Sequence, residues 1–146
     1  MAFHFSLEVL LRLRRSVEHQ QELLLTKANH EVNLVRTQIA NIDECLTSLA
    51  GHVERNLNEG LSASELHFDN ERGLVLRARR KNLEQELHQK EAQWTARSKG
   101  FQDARRDREV VETLYRRQFQ LFRQADLRKE QRRMDEEFLL RNRFRS

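Results

Sequence analysis

The chain has 146 residues, of which 34% are charged and 38% hydrophobic, with no proline and few glycines. That is the length of one domain, with too little apolar material for a thick core but enough for a thin seam between long helices. The net charge of +4 is spread over interleaved acids and bases, Cys45 stands alone, and no apolar run nears the roughly 18 residues of a membrane span; a one-signed nucleic-acid face, a disulfide framework and a transmembrane segment are all disfavoured.

The first residues, Ala2-Phe3-His4-Phe5-Ser6-Leu7-Glu8, lack a basic leader and are interrupted by charge at Glu8 and Arg12, so no signal peptide is expected. From Ser6, a candidate N-cap, a stripe recurs by threes and fours, apolar except at Gln21: Leu7, Leu10, Leu13, Val17, Gln21, Leu24, Ala28, Val32, Val35, Ile39, Ile42, Leu46, Leu49, Val53 and Leu57. This spacing predicts a helix over 6–57, with Gly51 as a weak point. The pattern stops at Asn58-Glu59-Gly60-Leu61-Ser62. Gly60 is a natural helix stop, and Ser62 followed by Glu65 reads as a capping box that opens a second helix. The turn is thus expected over 58–62.

The second helix is predicted over 63–140, with a basic, frayed tail over 141–146. Leu87, Trp94, Phe101, Arg108, Tyr115 and Phe122 recur every seventh residue; Leu83, Lys90, Arg97, Ala104, Val111, Gln118 and Ala125 form the alternate row. The fold class predicted is all-α: one coiled-coil domain over 1–146, a long antiparallel two-helix hairpin. Folding at Gly60 sets Leu46 opposite Gly73 and Leu74, Val35 opposite Leu83, Leu24 opposite Trp94, Val17 opposite Phe101 and Leu10 opposite Arg108. Phe3 comes level with Tyr115. The longer second helix then overhangs, from about Gln118, with Phe119, Leu121, Phe122, Leu127, Met134, Phe138, Leu139, Leu140 and Phe144 unmatched. Exposed apolar residues on a lone helix mark an interaction site, for a partner or for a second copy.

Few residues point to chemistry. His52 and His67 face each other near the turn but are too few for a metal site, and no Glu-x-x-His or Cys-x-x-Cys spacing occurs. Glu84 and His88 read as a solvated pair, and Cys45 as a half-buried residue beside the seam. Phosphate-loop and nucleophile-elbow motifs are absent, and two helices offer little concavity. No enzyme activity, cofactor or metal is expected. The clusters Arg77-Ala78-Arg79-Arg80-Lys81 and Arg105-Arg106-Asp107-Arg108 wrap around the helix, with Glu84 and Glu109 able to partner them. No specific nucleic acid is expected, although a helical nucleic-acid-binding protein is an alternative.

The two ends carry a resemblance. Phe3-x-Phe5-Ser6-Leu7-Glu8-x-Leu10-Leu11, then Leu13-Arg14, resembles the start of the flagellar export protein family FliJ. Arg128-Lys129-Glu130-Gln131, then Met134-Asp135-Glu136, resembles that family's carboxyl-terminal signature, where leucine commonly stands at the Met134 position. The resemblance implies a non-enzymatic stalk of the bacterial flagellar type III protein export apparatus. Such a stalk is expected to be cytoplasmic and peripherally associated with the inner-membrane export apparatus, and an elongated monomer when free. Its expected partners are the hexameric flagellar export ATPase, the export gate membrane protein and export chaperones. By resemblance and overhang together, the ATPase-binding residues are Phe3, Phe5, Leu7, Leu10, Leu11, Arg14, Phe119, Phe122, Arg128, Glu130, Arg133, Asp135, Glu136 and Phe138. A stalk of a virulence type III secretion system and a generic coiled-coil adaptor are the alternatives.

Overall fold

The computed structural model describes residues 2–60 and 62–145. They form two helices, α1 (Glu8–Glu59) and α2 (Ala63–Arg145), packed antiparallel as an all-α hairpin. Each runs past its predicted C-terminal limit, while α1 starts two residues later than expected, at Glu8. α1 passes Gly51, whose carbonyl accepts from Arg55 Nε at 3.2 Å, and ends one residue before Gly60. α2 continues through the basic segment placed in a frayed tail, as far as Arg145. Arg143 and Arg145 in its last turn complement the negative end of the helix dipole. Leu61 and Ser146, parts of the predicted turn and tail, lie outside the described residues.

The chain divides into two compact units: a turn unit, Gln21–Phe101, and an end unit built from residues 2–20 and 102–145. In the turn unit Gly60 has a φ of 88°, a left-handed conformation that closes α1 without a Cβ clash. Ser62 Oγ then accepts the Glu65 N–H at 3.3 Å, and the Ser62 carbonyl accepts the Leu66 N–H at 3.1 Å, which starts α2.

The core of this unit is a single stripe. Val35, Ile42 and Leu83 are buried, and Ile39, Leu46, Leu76 and Leu87 pack against them. Ala28 and Val32 continue the buried face of α1. Gly73 sits against Leu49, where an added Cβ would lie 3.6 Å from Leu49 Cδ2. Ion pairs flank the stripe: Arg80 Nε bonds Asp43 at 2.5 Å while its other nitrogen bonds Glu84, Lys90 reaches Glu31 at 3.2 Å, and Arg36 reaches Glu91 at 3.2 Å.

The register differs from the expected one. Leu49, one turn beyond Leu46, stands opposite Gly73, because α1 continues to Glu59 and closes at Gly60 instead of giving way to a turn at 58. Trp94 then comes level with Ala28 in place of Leu24. A helix pair has no third wall for so large a ring, and Trp94 remains 40% exposed. Leu57 is exposed as well, and Cys45, expected half-buried, is exposed on the outer face of α1.

Two glycines with opposite roles give a test. Gly60→Ala forces a side chain into left-handed backbone and should destabilise the chain by about 1–2 kcal/mol. Gly73→Ala adds a methyl at ordinary contact distance and removes glycine from a helix interior, for a gain of about 1 kcal/mol. Urea denaturation should therefore shift in opposite directions for the two variants.

Candidate partner-binding end

The end unit begins with a short non-helical segment that turns into α1. The Glu8 N–H donates to the Phe5 carbonyl at 3.1 Å and the Leu11 N–H to the Leu7 carbonyl at 2.9 Å. A backbone carbonyl thus does the work expected of Ser6 as N-cap, and helix begins at Glu8. The turn drives Phe5 inward.

Phe5, Leu11 and Val111 form the buried core of this unit, with Phe3, Leu7, Leu10 and Tyr115 packed against it. Phe5 is 2% exposed and meets the Tyr115 ring edge-on at a centroid distance of 5.2 Å. Phe3 lies further along α2, with its ring 5.5 Å from Tyr115, 5.2 Å from Phe119 and 5.3 Å from Phe122. Tyr115 and Phe119, one turn apart, stack nearly parallel at 6.3 Å. Edge-on pairs at these distances add about 0.5–1.5 kcal/mol each beyond their buried area.

A charged cluster flanks this aromatic one. Arg108 is half-buried at a seam position and bonds Glu18 across the seam and Glu112 one turn along α2. Glu112 also takes Arg15 at 3.6 Å and Arg116 at 3.9 Å. Arg14 reaches Asp107 at 3.4 Å. The hydrogen bond from Arg108, reinforced by its charge and those of Arg116 and Arg15, lowers the Glu112 pKa against the effect of desolvation. The Glu18 hydrogen bond, together with Glu112, raises that of Arg108.

The structure separates the expected site residues into two groups. Phe3, Phe5, Leu7, Leu10, Leu11, Phe119 and Phe122 come together in the aromatic cluster, and Arg14 joins through Asp107. Phe5 and Leu11 are buried with Val111 of α2, so the segment before α1 and the first turns of α1 are packed against α2 there. Leu10 packs in this core and Arg108 pairs with Glu18, so the expected Leu10–Arg108 match does not occur. Leu13 points outward. Arg128, Glu130, Arg133, Asp135, Glu136 and Phe138 are all exposed on the segment of α2 beyond Phe122. From 123 to 145 every described residue of α2 is exposed, including Leu127, Met134, Phe138, Leu139, Leu140 and Phe144. The overhang therefore begins after Phe122 and not at Gln118.

The turn unit holds one surface the pattern did not single out. Leu46, Leu49, Val53, Leu57, Leu66 and Gly73 line a shallow groove of about 510 Å³ that also holds the buried Asp69. Leu66 and Gly73 lie on the backward extension of the seven-residue row through Leu87, so the pattern aligned these positions on one face without showing that a groove opens there. His52 bonds Asn56 at 2.8 Å and His67 bonds Glu71 at 3.2 Å, each along its own helix. No cluster of three potential metal ligands occurs among the described residues.

A family model described as flagellar FliJ protein matches residues 3–146. The chain belongs to the FliJ family. The match includes the aromatic cluster, the seam and the whole overhang, and gives the chain a role in flagellar protein export. No curated protein and no solved structure matches it. Among the described residues, no helix is long and apolar enough to cross a membrane.

Two measurements probe this end. Phe5→Ala empties a buried ring and should cost about 3–5 kcal/mol of stability. The lowered Glu112 pKa means that the unfolded chain takes up this proton at higher pH than the folded one. The contribution of Glu112 is thus present above the ordinary carboxylate pKa and lost as pH falls through its lowered folded value. Glu112→Gln should flatten the acid limb of stability against pH, measured as the urea midpoint across a pH series.

Proposed function

We propose that the chain is a non-catalytic stalk whose overhanging end docks in the central hole of the hexameric flagellar export ATPase. The observation that carries this reading is the contrast within the end unit. The aromatic cluster anchors the ends of the chain to each other, and α2 then continues from 123 to 145 with every described side chain exposed. Leu127, Met134 and Phe138 share one stripe of that segment. Arg128, Glu130, Arg133, Asp135 and Glu136 surround them with both signs of charge. A ring lumen supplies the enclosing apolar and polar surface that such a helix lacks in water. Docking of an asymmetric helix pair touches ring subunits unequally and biases their states, which is how a stalk without chemistry of its own alters ATP turnover.

Contacts with the export gate and with chaperones fall, in this reading, along the body of the hairpin, where the turn-unit groove offers concave apolar surface. The stalk works in the cytoplasm, peripherally attached to the inner-membrane apparatus through those partners.

Phe138 is the cleanest probe, since it is 64% exposed and touches no other aromatic ring among the described residues. Phe122 is less clean, because it packs on Phe3. Phe138→Asp should leave the melting temperature unchanged and weaken binding to the export ATPase by about 30-fold or more, the loss expected for an interface hot spot. Gly60 variants that still fold should bind normally. A Phe138→Asp chain that binds and stimulates the ATPase like the parent would sink the proposal.

A further inference from the structure

α2 carries a second stripe in the end unit, on a different face from the buried Ala104 and Val111 and the half-buried Tyr115 and Phe122. It begins at Asp103 and Asp107, continues through Val110 and Leu114, then Leu121 and Ala125, and closes at Arg128 and Arg132. At about 100° per residue these positions stay within an arc of about 60°. All are exposed, with Val110 at 58% and Leu121 at 66%. Val9 and Leu13, also exposed, flank it from α1 next to Arg14, whose guanidinium reaches Asp107. The opposite edge of the seam carries the Arg15–Glu112–Arg116 ion pairs instead.

The order of residues along this stripe is self-complementary. Its positions are symmetric about the midpoint between Arg117 and Gln118. A second copy of α2 laid antiparallel on that midpoint sets Leu114 against Leu121 and Val110 against Ala125. The same alignment sets Asp107 against Arg128 and Asp103 against Arg132. Arg117 and Gln118 border the stripe at the midpoint itself; apolar meets apolar on either side of it, acid meets base at both ends, and each contact occurs twice by the two-fold symmetry. Asp103, Arg128 and Arg132 make no ion pair of their own among the described residues. A parallel alignment would stack acids on acids and bases on bases. The order of charges thus selects both the occupant and its direction.

We propose that this stripe is a self-association site through which two copies pair antiparallel along α2, between residues 103 and 132. The interface is short, and areas below about 1,200 Å² give weak, reversible association. The elongated monomer expected from the sequence is then the dilute form. Because the pairing covers Arg128 and the root of the overhang, a paired chain and a ring-bound chain exclude each other. The inference needs only this chain, so it stands or falls independently of ring docking.

Sedimentation velocity of the full chain over a wide concentration range tests it. A concentration-dependent monomer–dimer equilibrium is expected, weakening with salt as the end ion pairs are screened. Asp103→Arg and Arg132→Asp each turn two attractions into repulsions and should each weaken pairing by about tenfold. Combined in one chain, they should restore it. Asp107 is left intact because it also holds Arg14. Leu121→Glu should abolish pairing with unchanged helicity, since Leu121 is already exposed in the single chain. In a Cys45→Ser background, copies bearing Val110→Cys should cross-link with copies bearing Ala125→Cys and not with themselves. A chain that sediments as monomer throughout, or a dimer indifferent to the charge swap, overturns the proposal. So does a monomer in which Leu121→Glu disrupts only binding to the export ATPase, because the stripe then belongs to a ring subunit.

Discussion

A pair of helices has one seam and no other interior. Each helix can bury a single stripe, and only where its partner runs alongside. Most of the structure follows from this constraint. In the turn unit the stripe through Val35, Ile42 and Leu83 is the whole core, and the rest of the surface is charge and solvated side chain. In the end unit the segment before α1 extends the seam by folding Phe5 and Phe3 onto α2, and Phe122 is the last residue it covers. Past Phe122 no described residue of the chain covers α2. The exposure of Leu127, Met134 and Phe138 is therefore a consequence of the hairpin's unequal arms.

Charge supplies what the thin core lacks in specificity. A leucine seam tolerates slippage, because any apolar residue one turn away fits nearly as well. Arg80 bonds Asp43 and Arg108 bonds Glu18 across the seam, and a slipped register loses both cross-seam bonds while leaving each arginine only its same-helix partner, Glu84 or Glu112. These clusters sit one in each unit, so each half of the seam carries its own register mark. Their value lies in the cost of the wrong alignment more than in stability gained by the right one.

Much of this was legible in the sequence. The three-four spacing from Leu7 to Val53 names the buried face of α1 nearly residue by residue, and Gly60 with Ser62 marks the reversal. The register was displaced because spacing locates a turn only to within a few residues, and an error at the pivot carries through every pair. Trp94 shows the result: paired on paper with Leu24, it is level with Ala28 and stays partly exposed. Periodicity also counts every apolar end residue alike. It does not reveal that Phe5 is buried by a turn at the Phe5 carbonyl, nor that Leu13 faces outward, since those outcomes depend on how the chain enters α1. The resemblance to FliJ rested on residues at the two ends, and the family match extends it over the middle, where composition is generic.

The central claim is that the bare end of α2 is the working surface. Amide hydrogen exchange on the intact chain, alone and with the export ATPase, tests it most directly. A lone helix without a packed face opens readily, so amides from 123 to 145 should exchange fast in the free chain and slow markedly on binding. Those of residues 50–75, around the turn, should not change. Protection appearing around the turn while 123–145 continued to exchange freely would contradict the account.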